Sequence, residues 1–387
     1  MKPCAQMRIQ GIKRVSGGLK PGSVKVSDPL VGSVSIFEMS SRVTQLTNTG
    51  DVKDAWGRLL RDLRISVIDR CNYRCPYCMP AEVYGDGYEF LPRPHWLTPG
   101  EIKRIAGLFM QLGVKKLRVT GGEPLLRRDI VEIVSALKEL RGLDLALTTN
   151  GSLLAERAEG LKAAGLNRIT VSLDSLDEAV FKEMSGEKGD VSSVLEGIEA
   201  ARDVGLSPIK LNVVVQKGKN DHTVLDLVDH FRGSGAIVRF IEYMDVGTLN
   251  GWRMDEVVAS RTLMQQISDR WPLKPVEPNY RGEVARRYVF EDGQGEVGFI
   301  SSVSEPFCGD CHRARLSADG TIYTCLFARH GICVRENIRG GASDADLIGL
   351  LQNLWRHRTD RYSEERGKDG GAEKAPKSRI EMYRMGG

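Results

Sequence analysis

Between residues 63 and 241 the chain repeats one unit: a short β-branched or apolar run, then a longer stretch whose apolar residues recur every three or four positions. The runs Leu63–Ile68, Lys116–Thr120, Leu143–Thr148, Arg168–Leu173, Ile209–Val215 and Ala236–Ile241 predict strands. Helices are predicted between them, over 99–113, Ile130–Leu140, Leu153–Ala164, within Glu178–Val204, and over Val224–Phe231. The first opens at Thr98-Pro-Gly-Glu101, a capping box with proline at the first helical position. Regular alternation of this kind calls for parallel strands with crossover helices, as a doubly wound sheet or a barrel. Ligands of such folds bind at the carboxyl ends of the strands.

After about Asp245 the alternation stops. Tyr288–Glu291 and Glu296–Ile300 flank a glycine-containing turn and predict a hairpin, and Asp344–Trp355 predicts a helix. Ahead of the alternating part, residues 1–53 pair Gly, Ser and Pro without sustained periodicity and carry six Lys or Arg before the first acid at Asp28. A basic, disordered extension is expected there. A mitochondrial transit peptide is the alternative, against which Gly17, Gly18, Pro21 and Gly22 would spoil an amphipathic helix. The expected division is therefore an extension over 1–53, an alternating domain over 54–248 and a C-terminal domain over 249–387.

At 387 residues and 41% apolar content the chain can bury a sizeable core. No run approaches the roughly 18 apolar residues that span a bilayer. A net charge of +4 is too mild to argue for nucleic acid or a membrane surface. Six of the eight cysteines fall into two tight groups, which reads as metal ligation in a reducing compartment rather than a disulfide framework.

The first group, Cys71-Asn-Tyr-Arg-Cys75-Pro-Tyr-Cys78, follows directly on a predicted strand. Zinc sites favour paired Cys-x-x-Cys units, which this spacing does not provide. Three thiolates on a four-iron cube leave one iron open to a small molecule. The spacing, with an aromatic residue before the third cysteine, resembles the signature of the radical S-adenosylmethionine (SAM) enzymes. That resemblance implies an iron that chelates SAM and an electron that cleaves its sulfonium. Gly121-Gly122-Glu123-Pro124 also follows a strand, where its glycines permit close backbone approach and Glu123 can accept from an ammonium group. Thr149-Asn150-Gly151 and Ser172-Leu-Asp174 end the next two strands with residues suited either to SAM contacts or to plain turn and cap roles.

Cys308-Gly-Asp-Cys311 and, thirteen residues on, Cys325 form a second trio. It again supplies three ligands to a four-iron cluster. His312 is not expected to be a fourth, because its neighbour Cys311 ligates and adjacent side chains point apart. Arg313-Ala-Arg315 follows, and on a strand its two guanidiniums share a face. Arg64, Lys116, Arg118, Lys210 and Arg239 add cations on predicted strands. Surface salt bridges would explain any one of them, whereas the set beside an open iron suits a triphosphate.

The two trios together closely resemble the GTP 3′,8-cyclases, the molybdenum cofactor biosynthesis A family, from about Asp54 to Gly387. Arg64-Ile-Ser66, Met79-Pro80, Gly121–Arg127, Arg239–Met244 and the closing Gly386-Gly387 extend the likeness. The resemblance tips the fold toward α/β, a partial (β/α)6 TIM-type barrel with a C-terminal α+β region carrying a second iron–sulfur cluster. It implies two [4Fe-4S] clusters, on Cys71, Cys75 and Cys78 and on Cys308, Cys311 and Cys325. It implies SAM contacts from Tyr77, Gly121, Gly122, Glu123, Ser172 and Met244. GTP contacts would come from Arg64, Arg118, Thr149, Lys210, Arg239, Arg313, Ala314 and Arg315, with Arg313, Arg315, Gly386 and Gly387 acting in the chemistry. The implied activity is radical cyclisation of GTP by a lyase, opening molybdenum cofactor biosynthesis. Its partners would be a flavodoxin- or ferredoxin-type electron donor and a downstream cyclic pyranopterin monophosphate synthase. A cytoplasmic monomer or homodimer is expected, or one in the mitochondrial matrix if the extension is a transit peptide. The departures from the family are that extension, His312, and an enlarged Gly85–Pro94 loop. The rivals are a radical SAM peptide-modifying enzyme with an auxiliary cluster, which usually carries more cysteines, and a non-enzymatic iron–sulfur regulator.

Overall fold

The computed structural model describes residues 50–366 and 379–386. The extension predicted over 1–53, apart from its last four residues, and Gly387 lie outside the described residues.

The alternating part forms β1 (Asp62–Ser66), α1 (Pro99–Gln111), β2 (Lys116–Thr120), α2 (Ile130–Lys138), β3 (Asp144–Thr149), α3 (Leu154–Ala163), β4 (Arg168–Ser172), α4 (Glu178–Ser185), α5 (Val191–Asp203), β5 (Lys210–Val215), α6 (Val224–Phe231) and β6 (Ile237–Glu242). The capping box at Thr98 and Glu101 forms as the sequence requires. The helical stretch 178–204 is two helices because Gly186 turns left-handed at φ 70° and Asp190 then caps a fresh start by accepting from Ser193 N.

Strands β1 to β6 lie side by side in chain order, all parallel. The C-terminal region adds α7 (Ser260–Arg270), β7 (Leu273–Val276), β8 (Arg286–Phe290), β9 (Glu296–Ile300), β10 (Arg313–Leu316), β11 (Thr321–Tyr323), β12 (Ile332–Cys333), α8 (Arg335–Arg339), α9 (Asp344–Arg356), α10 (Tyr362–Glu365) and α11 (Met382–Met385). Its strands extend the same sheet at both edges, β9 running parallel to β6 and β10 parallel to β1. The expected hairpin is β8–β9, with its first strand starting at Arg286 and β7 joining beyond it. Helix α7 had no clear signal, since Leu263 and Ile267 are its only buried apolar residues.

The two faces of this partial barrel divide by chemistry. Leu63 and Ile65, Leu117 and Val119, Leu145 and Leu147, Ile169 and Val171, Leu211 and Val213, and Val238 and Phe240 all join one apolar cluster with the helices. The residues that alternate with them are Asp62 and Arg64, Lys116 and Arg118, Thr148, Arg168 and Thr170, Lys210 and Asn212, and Arg239. A barrel interior is ordinarily filled by Val, Ile and Leu. Here it is lined with charged and polar side chains, which suit a ligand better than a packed core.

Candidate active site

Three adjacent strands align the cations. Arg64 on β1 pairs laterally with Arg118 on β2 and with Arg315 on β10, and one step earlier Asp62 pairs with Lys116 and Arg313. Lateral neighbours on paired strands lie about 4.8 Å apart. From β2, Arg118 reaches across β3 to β4, donating Nη1 to Thr148 Oγ1 at 2.9 Å and to Thr170 Oγ1 at 3.1 Å. Arg239 on β6 donates to the same Thr170 at 3.4 Å and to Asn212 Oδ1 at 2.6 Å. Cations from opposite sides therefore converge on the space around Thr170.

That space is short of negative charge. Burial, then Arg315, Arg313 and Arg118, push Arg64 well below the usual guanidinium value. Burial, then Arg118 and Arg168, pull Arg239 down to about 9, and burial and Arg313 bring Arg315 to about 10. Burial lowers Lys116 and Lys210 to about 8 each. Burial works against ionisation of Asp62 too, but Lys116, Arg64 and Arg118 outweigh it and hold that carboxyl low. The Nε atoms of Arg64, Arg118 and Arg239 are buried with no hydrogen-bond partner among the described residues.

The first trio sits on the loop after β1. Tyr73 N and Asn150 Nδ2 donate to Cys71 Sγ at 3.4 and 3.9 Å. Burial pushes the Cys71 thiol up to about 12, and it raises Cys75 and Cys78 as well, with Cys71 adding to the effect on both. Among the described residues no three His, Cys, Asp or Glu side chains converge on a single ion. A four-iron cube takes its thiolates on separate irons, and three thiols on one loop fit that demand.

The Gly121-Gly122 turn packs against this loop. A methyl on Gly121 would stand 2.7 Å from Ile68 O and one on Gly122 would strike Arg70 O, while Gly122 N and Glu123 N donate to Ile68 O and Arg70 O at 2.8 Å each. The close approach these glycines permit is to the backbone leading into Cys71. Glu123 is fully buried, and its carboxylate accepts from Thr149 Oγ1 at 2.7 Å, Asn150 N at 2.7 Å and Leu125 N at 2.9 Å. It stitches the β2 turn to the β3 turn, and burial raises it to about 7. Thr149 spends its hydroxyl on that bond; the threonine facing the cations is Thr148. Ser172 ends β4 on the inner face, and two residues on Asp174 accepts from Tyr77 Oη at 2.7 Å and from Val214 N at 2.8 Å. Met244 lies on the loop after β6, its carbonyl accepting from Val246 N at 2.9 Å. Ala314 turns its methyl into the apolar cluster between Arg313 and Arg315.

The second trio lies beside β10. Arg313 donates Nη2 to Cys311 Sγ at 3.4 Å, whereas Arg315 donates Nη1 to the carbonyl of Gly386. The two guanidiniums share a face but serve different partners. Arg358 donates to Cys311 Sγ at 3.2 Å and to Cys311 O at 2.7 Å, and Arg58 donates to Cys308 O at 2.7 Å. Buried Asp54 holds both arginines, at 2.6 Å from Arg58 Nε and 3.3 Å from Arg358 Nη1. Although burial raises the Cys311 thiol, Arg313 and Arg358 more than offset it and bring the group to about 6. Sequence reasoning missed this triad, because Asp54 and Arg358 lie far apart in the chain and carry no local motif. His312 packs beside Tyr280, ring centroids 5.9 Å apart, and among the described residues its ring nitrogens have no hydrogen-bond partner. Tyr280, also missed, accepts from Lys116 Nζ at 3.1 Å at the amino-terminal end of β2.

The C-terminal segment crosses the mouth of the barrel. Arg379 donates to Asp245 O at 2.6 Å, Glu381 accepts from Thr248 N and Oγ1 at 2.9 Å, and Gly386 settles against Thr120. A surface groove of about 700 Å³ beside the β6–β9–β8 edge, lined by Ile237, Lys274, Phe290 and Glu296, holds none of these groups.

Residues 65–231 match the Radical SAM superfamily and residues 236–364 match Molybdenum Cofactor Synthesis C. A GTP 3′,8-cyclase of Xanthomonas axonopodis pv. citri is 50% identical over 340 residues, covering 88% of this chain and 100% of its own length. The protein of that name from Acidothermus cellulolyticus is 50% identical over 85% of this chain and 93% of its own. That from Staphylococcus epidermidis is 46% identical over 87% and 99%. Among solved structures, Streptococcus suis SuiB bound to S-adenosylmethionine superposes with a TM-score of 0.50 at 18% identity, covering 69% of this chain and 61% of that one. This last likeness concerns the fold alone.

Proposed function

We propose a mechanism that proceeds from one premise: the chain belongs to the GTP 3′,8-cyclase family of radical SAM enzymes. It converts GTP to (8S)-3′,8-cyclo-7,8-dihydroguanosine 5′-triphosphate, the first step of molybdenum cofactor biosynthesis, a lyase reaction. Kinship at 46–50% identity to proteins of that name leaves the peptide-modifying alternative without support.

One observation carries the reading of the site, the polar lining of the barrel. Arg64, Arg118 and Arg315 in one lateral row, with Lys210 on β5 and Arg239 on β6, would form an anion site whose charge suits a triphosphate. Guanidiniums give bidentate, charge-assisted bonds to phosphate oxygens. Like charges buried without a counterion destabilise the ligand-free protein, and a bound polyanion reverses that cost. Clamped at its phosphates, the nucleotide would be held in a single attack geometry, which is the protein's main contribution when cofactors supply the hard chemistry.

Cys71, Cys75 and Cys78 would hold one [4Fe-4S] cluster and Cys308, Cys311 and Cys325 a second. When bound, the first supplies the electron that cleaves the SAM sulfonium, and the second supplies an open iron for the purine. Tyr77, Gly121, Gly122, Glu123, Ser172 and Met244 build the SAM side, with Glu123 setting the turns that carry its neighbours. Arg313 lies between Cys311 and the barrel lining and would link the purine end to the phosphate end. Arg315 and the tail residue Gly386 would close over the substrate and exclude water, with Gly387 outside the described residues. A flavodoxin- or ferredoxin-type donor, a downstream cyclic pyranopterin monophosphate synthase and a cytoplasmic setting complete the reading.

The test is anaerobic reconstitution followed by metal and product analysis. Wild type should take up about eight irons per chain and Cys325→Ser about four. Only wild type should yield the cyclic triphosphate from GTP, SAM and a strong reductant. A wild-type plateau near four irons, or zinc alone, would remove the second cluster from the reading.

A further inference from the structure

We propose that Tyr383 is a positioning residue, an aromatic latch that seats the C-terminal tail in the loop following the first cysteine trio and so holds Gly386 against Arg315. The inference rests on the cyclase reading for its kinetic consequence but not for its structural one.

Helix α11 has four residues, too few to be stable by its own hydrogen bonds, so its place depends on what its side chains reach. Tyr383 is 3% exposed and enters a box made by Tyr84, Tyr88 and Phe90, with Met79 beneath. Its ring meets Tyr84 edge-on at 5.0 Å and 71°, and Phe90 at 6.4 Å and 86°. Its hydroxyl shares a hydrogen bond with Tyr88 Oη at 2.8 Å. Tyr88 and Phe90 lie within the 85–94 loop, and Cys71 and Cys78 pack against the same cluster. Two residues beyond Tyr383, Met385 O stands 3.4 Å from Arg315 Nη1, and the Gly386 carbonyl accepts from the same nitrogen.

The other anchors of the tail fix it at different points. Arg379 bonds Asp245, Ile380 N donates to Ala328 O at 3.1 Å, Glu381 bonds Thr248 after β6, and Arg384 pairs with Asp319 after β10 at 3.5 Å. None of these bonds reaches the 84–90 loop. Tyr383 ties it by ring contacts and a hydrogen bond to the loop that follows the first trio, and that further point of attachment holds Gly386 in place. The latch thus connects the SAM half of the site to the residue that meets Arg315.

Full-length protein with Tyr383→Ala or Tyr383→Phe tests this in two independent arms. In the first, carboxypeptidase release of C-terminal residues is timed without GTP or SAM, so the result does not depend on the cyclase reading. Tyr383→Ala should be trimmed about ten-fold faster than wild type, and Tyr383→Phe, which keeps both ring contacts, close to the wild-type rate. In the second, reconstituted Tyr383→Ala should lose about ten-fold in kcat for the cyclic product with KM for GTP little changed, and Tyr383→Phe should restore most of it. Reductive SAM cleavage at the wild-type rate serves as the folding control. Trimming of Tyr383→Ala at the wild-type rate overturns the latch, and faster trimming with an unchanged kcat overturns its positioning role. If Tyr383→Ala does not fold, Tyr383→Leu replaces it under the same criteria.

Discussion

Replacing Arg239 with Met removes a charge that the nucleotide-free protein holds at a loss. The side chain is 8% exposed, and burial followed by repulsion from Arg118 and Arg168 pulls its guanidinium from its ordinary value down to about 9. At about 1.36 kcal/mol per unit, that displacement corresponds to about 5 kcal/mol against the charged form. Because the folded state holds this proton less tightly than the unfolded chain, the penalty stands in full below pH 9 and fades only as the pH climbs toward the ordinary guanidinium value. Against it, the substitution forfeits the bonds to Asn212 at 2.6 Å and Thr170 at 3.4 Å, together about 3 kcal/mol for a charged donor. The net expectation is a variant more stable by about 2 kcal/mol, melting some 2–3 °C higher at about 2.1 cal/mol/K of unfolding entropy per residue. With GTP the sign reverses, since losing one buried cation of a phosphate clamp costs about 2–5 kcal/mol, or roughly 30-fold or more in affinity. Differential scanning calorimetry and titration calorimetry of the anaerobically reconstituted proteins, with and without GTP, read both effects. A variant that melts below wild type without nucleotide, and is stabilised by GTP as much as wild type, would refute the anion-site argument.

GTP affinity should also fall as the pH rises through about 8. Lys116 and Lys210 lose their protons there, a triphosphate favours the ammonium form, and binding therefore takes up protons. Titration calorimetry between pH 7 and 9.5 should show a slope of up to about ten-fold per unit for each lysine. Lys210→Met should lose about half of it, and a flat wild-type profile would exclude both lysines from the site. At Gly386, φ of 73° and contact with Thr120 leave no room for a methyl group, and the left-handed backbone adds about 1–2 kcal/mol of strain to an alanine. Gly386→Ala should therefore lose product formation while iron content and SAM cleavage persist, as chromatography of the reaction mixture would report; full product yield would free the tail from any role.

What the sequence determined by itself is whatever neighbouring residues settle among themselves. The alternation of strand and helix from 63 to 241, the capping box at Thr98, the two cysteine trios and the shared face of Arg313 and Arg315 are written in periods of two, three or four residues, and backbone geometry converts each into structure directly. Even the inward turn of Arg64, Arg118 and Arg239 follows once Leu63, Ile65, Val119 and Phe240 are assigned to the helix-covered face. Tertiary structure decided the rest, because it depends on contacts between residues far apart in the chain. The pairing of β10 with β1 lines Arg315 up with Arg64 across some 250 positions. Asp54 gathers Arg58 and Arg358 behind the second trio, and neither arginine signals that destination in its own surroundings. Thr149 and Thr148 are equivalent as sequence, yet Glu123 claims one and Arg118 the other. Tyr383 reads as an ordinary aromatic near a chain end until the 84–90 loop is folded around it. Local patterns fix torsions and faces, whereas a hydrogen bond or ring contact between distant segments exists only after the chain has paid the entropy of bringing them together.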